Sequence, residues 1–271
     1  MMGTIMRELK KHAFIWFVFM KNSLIAQMEY RANFFTGISM EAGYLLVKLL
    51  YVIVVYRSGA SVNGLSADEV LVFVGAYVLV TGFYAGFFMI NNFALSDHIR
   101  TGTLDFFIVK PVSLQFMATL RRSDIALFLT DFVAGVILIA IGWSRLKIPL
   151  NILNLAGFTG YMLSGVIVGY ALFLFPIIFS FWIVKSGSLA GVVDSFWDFN
   201  NVPMGVYSKL IQRIGVFILP IFVVTNFPVL FVLGKMDPLY AVWGILAPFV
   251  SLGVTRLFWS VAVKRYSSAS S

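Results

Sequence analysis

Cysteine is absent from this chain of 271 residues, which excludes disulfides, thiolate metal sites and cysteine nucleophiles. Histidine is nearly absent as well, because His12 and His98 stand far apart and lack the spacing of a histidine metal site. Charged residues make up only 12% of the chain, about half the share found in soluble domains. So few charges do not cover the surface of a soluble globule of this size.

Apolar residues are present in excess instead. Hydrophobic residues make up 60% of the chain, phenylalanine occurs 28 times, and the mean hydropathy is +0.93. Lipid is therefore the expected solvent for most of the surface, and within lipid every backbone polar group needs an internal partner. Long apolar runs meet this need as helices. The sequence thus predicts an all-α polytopic membrane protein, not a soluble enzyme.

Six apolar segments are long enough for a spanning helix, which needs about 20 residues. They are 34–56, 70–93, 125–143, 153–182, 211–227 and 239–263. Pro220 and Pro228 interrupt the fifth. Two arrangements stay open there: one span over 211–234, or a span that ends near Pro220 and a re-entrant piece in the outer leaflet. Residues 1–271 form one predicted transmembrane domain, with a bundle over 34–263 and a tail over 264–271.

The N-terminal segment 1–33 is basic and then apolar, but no small-residue cleavage site follows its apolar run over 13–20. We interpret Leu9–Asn33 as an amphipathic helix that lies on the inner membrane surface. The alternative is a short span that is not cleaved.

The distribution of basic residues predicts the orientation. With six spans and the N-terminus inside, 15 Lys and Arg residues fall inside and 4 fall outside. This count places the long connections 94–124 and 183–210 inside. Because inside loops are enriched in basic residues, both chain ends are predicted to be cytoplasmic.

The connection 94–124 contains a short apolar pattern. Leu104, Phe107 and Ile108 share one face at helical spacing, and Pro111 follows them. The pattern predicts a short amphipathic helix over 102–112, with Asp105 and the basic residues toward water. Its apolar face either inserts into a groove on a cytosolic partner or rests on the membrane without a partner.

This connection resembles the coupling region of bacterial ABC-2-type permeases, the membrane subunits of one class of ATP-driven exporters. It is especially similar to a six-span subfamily with Gly-x-Leu-Asp and Lys-Pro-Val after the second span. The matching residues are Gly102, Leu104, Asp105, Lys110, Pro111 and Val112. The downstream series is similar too: Phe196-Trp197, Pro203, Leu219-Pro220 and Pro228.

The resemblance implies a permease of the bacterial inner membrane that pairs with a second permease, identical or related. Each permease would dock a cytosolic ATPase, which would hold ATP and Mg, so this chain would bind no cofactor. The implied coupling residues are Gly102, Leu104, Asp105, Phe107, Ile108, Lys110 and Pro111. In agreement, the only Gly-Lys pair, Gly234-Lys235, precedes Met236 and lacks the first glycine of a phosphate-binding loop.

Three ionisable residues fall inside predicted spans, where such residues are candidates for function. Glu41 and Lys48 lie seven apart on one face of the first span, and Asp131 lies in the third. They either line a transport pathway or form structural pairs. As ion-coupling groups they would suit a self-sufficient secondary transporter, which is the alternative function. A membrane-embedded enzyme would need a cluster of His or carboxylates, which the sequence lacks.

The pairs Gly82/Gly86 and Gly165/Gly169 have the spacing that lets two membrane helices approach closely. We expect them to pack helices within the chain rather than between two chains.

Overall fold

The computed structural model describes residues 2–59, 61–183 and 187–266, and these ranges form helices joined by loops. The helices are α1 Met2–Glu29, α2 Arg31–Ser58, α3 Ala67–Phe83, α4 Ile90–Arg100, α5 Asp105–Ile108, α6 Leu114–Leu120, α7 Ile125–Arg145, α8 Ile152–Ile178, α9 Gly187–Asp198, α10 Lys209–Arg213, α11 Ile221–Val232 and α12 Pro238–Val263. A π-helical segment, Tyr84–Met89, joins α3 to α4, and a second, Ile214–Ile218, continues α10. Most of the predicted tail, 267–271, lies outside the described residues.

The all-α polytopic membrane fold is confirmed. Five helical stretches are long and apolar enough to cross a membrane: Arg31–Ser58, Ala67–Arg100, Ile125–Arg145, Ile152–Phe181 and Pro238–Val263. A sixth candidate is a pair of helices, Lys209–Ile218 and Ile221–Val232, bent by 102° at the break between them. The break falls at Leu219-Pro220, as the position of the proline predicts.

The N-terminal helix ends earlier than predicted. The backbone leaves the helical region at Tyr30 (φ −108°, ψ 64°), so α1 stops at Glu29 and α2 begins at Arg31. One side of α1 packs along the 101–124 connection: Lys11 Nζ donates to the Pro111 carbonyl over 2.7 Å. At the other end of this contact, the Ser123 amide donates to the Ser23 hydroxyl over 3.1 Å.

Glycines bring the central helices together. Most of α3 is buried, and α7 crosses it so closely that a β-carbon at Gly135 would lie 2.9 Å from the Gly75 carbonyl oxygen. On the other side of the bundle, a β-carbon at Gly165 of α8 would overlap the backbone of Val224 in α11. Gly82, Gly86 and Gly165 therefore pack helices within the chain, as their spacing predicts.

The two ends of the bundle are identified by their loops. Arg145 pairs with Asp68, so the loops 59–66 and 146–151 lie at one end, here called the 59–66 end. Ser180, which follows α8, bonds Ser96 near the end of α4 at 2.7 Å. The chain after α8 therefore lies at the opposite end, here called the 101–124 end, together with α1.

The connection 183–210 is not a loop at one end, and that prediction is wrong. Gly205 lies against Asn63 of the 59–66 loop, so the chain passes from one end of the bundle to the other between Phe181 and Gly205. Helix α9 and the 3₁₀ turns Phe199–Asn201 and Met204–Val206 make this passage. Only twelve of its described residues are α-helical, which is why it escapes a search for long apolar runs.

The bent pair of helices is re-entrant. It begins after Gly205 at the 59–66 end, and it leaves at the same end, where Lys235 Nζ donates to the Gly64 carbonyl over 3.0 Å and pairs with Glu69 at 2.7 Å. The described residues therefore cross the bundle six times, with α9 and its 3₁₀ turns in place of 211–227 as the fifth crossing. Because six is even, α1 and the end of α12 lie at the same end.

Candidate functional site

The connection between α4 and α6 turns sharply at the 101–124 end of the bundle. Gly102 adopts a left-handed backbone (φ +73°), which glycine tolerates without strain. One helical turn, α5, follows at Asp105–Ile108. The predicted helix over 102–112 is therefore too long, because Gly102 precedes the turn and Pro111 cannot continue it. We call residues 101–113 the docking loop.

The predicted outward face is wrong for two of its three residues. Leu104 and Phe107 are buried inside the chain, and only Ile108 is exposed as predicted. The Phe107 ring meets the His98 ring edge-on at 5.0 Å, and the Arg121 guanidinium lies 5.0 Å from the centre of the same ring. Helical spacing shows that two residues share a face, but not which surface covers it. Here the end of the chain's own bundle covers it.

Different apolar side chains point outward. Phe106 is 69% exposed and Val109 is 76% exposed, and Ile108 between them is half exposed. Of the predicted coupling residues, Lys110 and Pro111 are also exposed. Sequence reasoning missed Phe106 and Val109. The signal was the consecutive pair Phe106-Phe107, because one turn of helix cannot bury both rings on the same side.

Contacts with other segments hold the docking loop in place. The Thr103 hydroxyl lies 2.8 Å from His98 Nδ1, and Pro111 accepts the hydrogen bond from Lys11 of α1. At the end of α12, burial and the neighbouring Asp105 carboxylate raise the pKa of Tyr266 to about 12. The loop is thus linked to α1, to α4 and to the residues that follow α12.

A second candidate site is a cavity of about 410 Å³ inside the bundle, here called the α2–α9 cavity. Its lining includes Glu41, Tyr44 and Lys48 of α2, Tyr77, Thr81 and Tyr84, Asp131 of α7, and Trp197 and Asp198 of α9. The structure places the three ionisable residues singled out in the sequence, Glu41, Lys48 and Asp131, in this one cavity. It adds Asp198, which sequence reasoning did not connect with them.

Lys48 is held on the cavity wall by the 3₁₀ turn after α9 and by α3, not by Glu41. Its Nζ donates to Asn201 Oδ1 over 2.7 Å and lies 4.3 Å from the centre of the Tyr77 ring. The Trp197 ring stacks on Tyr84 at 4.6 Å and contacts Phe173 at 4.9 Å. The fifth crossing therefore supplies one wall of the cavity.

Glu41 and Asp131 meet across the contact between α2 and α7. The two carboxyl groups are close enough to interact, and both line the α2–α9 cavity. Asp131 is only 1% exposed, and in the described ranges its carboxylate oxygens have no hydrogen-bond partner. Neither carboxyl group forms an ion pair with a basic residue of the described ranges.

A larger cavity, about 800 Å³, lies elsewhere, between α7 and α8 toward the 59–66 end. Its lining is apolar apart from Ser144, Thr159 and Lys147. A groove of this composition suits lipid chains and has few polar groups to orient a ligand. We therefore regard the smaller, polar α2–α9 cavity as the candidate site. Among the described residues, no cluster of three or more His, Asp or Glu is arranged to hold a metal ion.

A comparison with protein families agrees with this architecture. The model of a family described as ABC-2 family transporter protein matches residues 42–270. The chain belongs to this family. A search of curated proteins and a search of solved structures gave no match.

Membership in the ABC-2 family identifies the six-crossing bundle as a membrane component of a transporter, not as an enzyme. It confirms the resemblance to ABC-2-type permeases noted in the sequence. Because the match begins at residue 42 and extends to 270, it includes both the docking loop and the α9 crossing.

Proposed function

We propose that this ABC-2 transporter protein is the permease subunit of an ATP-binding-cassette exporter. It would form a substrate pathway with a second permease and be driven by a separate cytosolic ATPase, which holds ATP and Mg²⁺. The observation that carries the proposal is the docking loop, which exposes Phe106 and Val109 while Leu104 and Phe107 anchor it. A rigid loop with an apolar tip suits a groove on a partner protein.

Burial of the loop tip would supply the docking energy. Covering one aromatic or aliphatic side chain contributes roughly 1.5–3 kcal/mol before the costs of association. Phe106 and Val109 are neighbours at the tip, so one groove can cover both. Lys110 and Pro111 lie beside them and would contact the rim, where charges contribute less.

Basic residues support a cytoplasmic position for the 101–124 end. Helix α1 contributes Arg7, Lys10, Lys11 and Lys21, and the same end carries Arg121, Arg122, Lys264 and Arg265. Because the re-entrant pair starts at the 59–66 end, Lys209 and Arg213 no longer count among the inside residues. The 101–124 end still carries a clear excess of Lys and Arg over the 59–66 end. By the positive-inside rule, the docking loop and both chain ends face the cytoplasm of the bacterial inner membrane.

The contacts suggest how movement of the ATPase would reach the pathway. A displaced docking loop pushes on α4 through the Phe107–His98 contact. Helix α4 continues into the π-helical segment Tyr84–Met89, and both of these residues line the α2–α9 cavity. Because π-helical segments have weaker regular hydrogen bonding, this junction is a natural place for α3 and α4 to bend during alternating access.

The test is recovery of the ATPase by the purified permease. We expect Phe106→Asp to abolish co-purification of the ATPase expressed with it, because docking would bury an unpaired charge. Val109→Asp should have the same effect. Leu150→Asp is the matched control: Leu150 is 77% exposed but lies at the 59–66 end, so this variant should retain the ATPase.

Normal recovery of the ATPase with both Phe106→Asp and Val109→Asp would contradict the docking role of the loop. Size-exclusion chromatography of each variant establishes that a loss of recovery is not a loss of folding.

We also expect the purified chain by itself to hydrolyse no ATP.

A self-sufficient secondary transporter is the second candidate function, and the Glu41–Asp131 pair favours it. Intramembrane carboxyl groups are the usual carriers of coupled protons. The co-purification experiment separates the two functions, because a secondary transporter would retain no ATPase in any variant, including the wild type.

A further inference from the structure

We propose that the α2–α9 cavity is a binding site for an organic ammonium ion, which the Glu41–Asp131 pair and the aromatic wall would hold together. The inference deepens the proposed function by naming a substrate class, and it rests on that function only for the step from binding to export. Binding itself is a property of this chain.

The charge of the cavity is the first argument. Its lining contains three carboxylates, Glu41, Asp131 and Asp198, but only one basic residue, Lys48. Asn201 and the Tyr77 ring engage Lys48, and Asp198 accepts a hydrogen bond from the Asn201 amide over 3.1 Å. Within the described ranges no Lys, Arg or His forms an ion pair with Glu41 or Asp131.

Two carboxyl groups that face each other in a medium of low dielectric constant repel when both are ionised. A proton between them removes the repulsion, and so does a bound cation. Asp131 is almost completely buried, whereas Glu41 is partly exposed, and both line the cavity. A cation that enters beside Glu41 would therefore take the place of that proton.

The aromatic lining is the second argument, and it selects the kind of cation. Tyr44, Tyr77, Tyr84 and Trp197 all line the cavity. Aromatic faces attract large, weakly hydrated cations such as quaternary ammonium groups. The chain's own Lys48 ammonium, 4.3 Å from the centre of the Tyr77 ring, already occupies one such position.

The size of the cavity agrees with an organic ligand rather than a metal ion. Its volume of about 410 Å³ lies within the usual range of small-molecule sites, roughly 300–1,000 Å³. A metal ion would need several carboxylate or carbonyl ligands around one small centre. The cavity instead offers one carboxyl pair, a third carboxylate that accepts from Asn201, and a broad aromatic surface.

The experiment measures binding by the purified chain in detergent, without an ATPase, by isothermal titration calorimetry. The probe is benzyltrimethylammonium, and the comparison ligands are neutral benzyl alcohol and anionic benzenesulfonate. We expect saturable binding of the cation, with both comparison ligands bound at least about tenfold more weakly. Because no ATPase is present, failure here leaves the docking experiment unaffected.

Variants connect the binding to the cavity. Asp131→Asn and Glu41→Gln should each weaken binding of benzyltrimethylammonium about tenfold or more, because each removes one carboxylate from the pair. Asp97→Asn is the matched control, since Asp97 is exposed near the end of α4 and lies outside the cavity. Its affinity should equal that of the wild type.

Size-exclusion chromatography checks the folding of each variant. If Asp131→Asn does not fold, Glu41→Gln at the more accessible end of the pair provides the same test. Three results would overturn the proposal: no saturable binding of the cation by the wild type, equal binding of benzyl alcohol, or unchanged affinity in a folded variant of the carboxyl pair.

Discussion

Replacing Gly165 by Val is expected to separate α8 from α11 and to destabilise the whole bundle. A β-carbon at this position would overlap the carbonyl oxygen of Val224, and the next nearest atoms are backbone atoms of the same residue. Backbone atoms in a buried helix cannot rotate away as a side chain can. Overpacking of this kind costs roughly 1–3 kcal/mol, and more where the backbone must move.

We expect the melting temperature of Gly165→Val in detergent to fall by about 5–10 °C, with a smaller monodisperse fraction. Gly160→Val is the matched control on the same helix, because a β-carbon at Gly160 meets no atom within 4 Å. Its melting temperature should stay within about 2 °C of the wild type. Equal losses in the two variants would contradict the close approach of α8 and α11.

A disulfide between cysteines introduced at Asn63 and Gly205 is the second expected result with a large effect. A β-carbon at Gly205 lies 3.7 Å from the β-carbon of Asn63, and disulfides prefer about 3.8 Å. The natural chain has no cysteine, so the background is clean. If 183–210 were a loop at the other end of the bundle, the two thiols could never meet.

Oxidation should therefore protect both thiols of Asn63→Cys/Gly205→Cys from a maleimide-polyethylene glycol, while the reduced protein should gain two labels. Asn63→Cys/Gly191→Cys is the control. Gly191 lies in α9 with open space beside it, on the part of the crossing that is farther from the 59–66 loop. Both of its thiols should stay reactive after oxidation. If both thiols of Asn63→Cys/Gly205→Cys stayed reactive after oxidation, the crossing would be contradicted, and 183–210 would be a loop at the 101–124 end.

The apolar runs alone were sufficient to predict the long crossings. Lipid offers no hydrogen-bond partners, so a spanning segment needs about 20 apolar residues, and this requirement is readable from the chain. The predicted first span begins three residues after the first residue of α2. The predicted last span begins one residue after the first residue of α12. Pro220 likewise indicated the break in the re-entrant pair, because its effect on the backbone is local.

The fifth crossing was not predictable in this way, because several of its polar groups find their partners in other segments. Thr225 of α11 donates to Asn200, and Asn226 accepts from the Met204 amide at 2.8 Å. Lys48 of α2 satisfies Asn201. In the sequence, Asn200 and Asn201 indicate a loop. In the folded bundle they can lie among the helices, because side chains from other segments hydrogen-bond them.

The same division applies to the two candidate sites. Spacing and polarity are local properties, so they were enough to predict that Leu104 and Phe107 share a face and that Glu41, Lys48 and Asp131 lie in the membrane-spanning part. Burial of Leu104 and Phe107, and exposure of Phe106 and Val109, depend on the folded bundle. The same bundle brings α9 and the three ionisable residues together in one cavity, because contacts between distant segments depend on how whole helices pack.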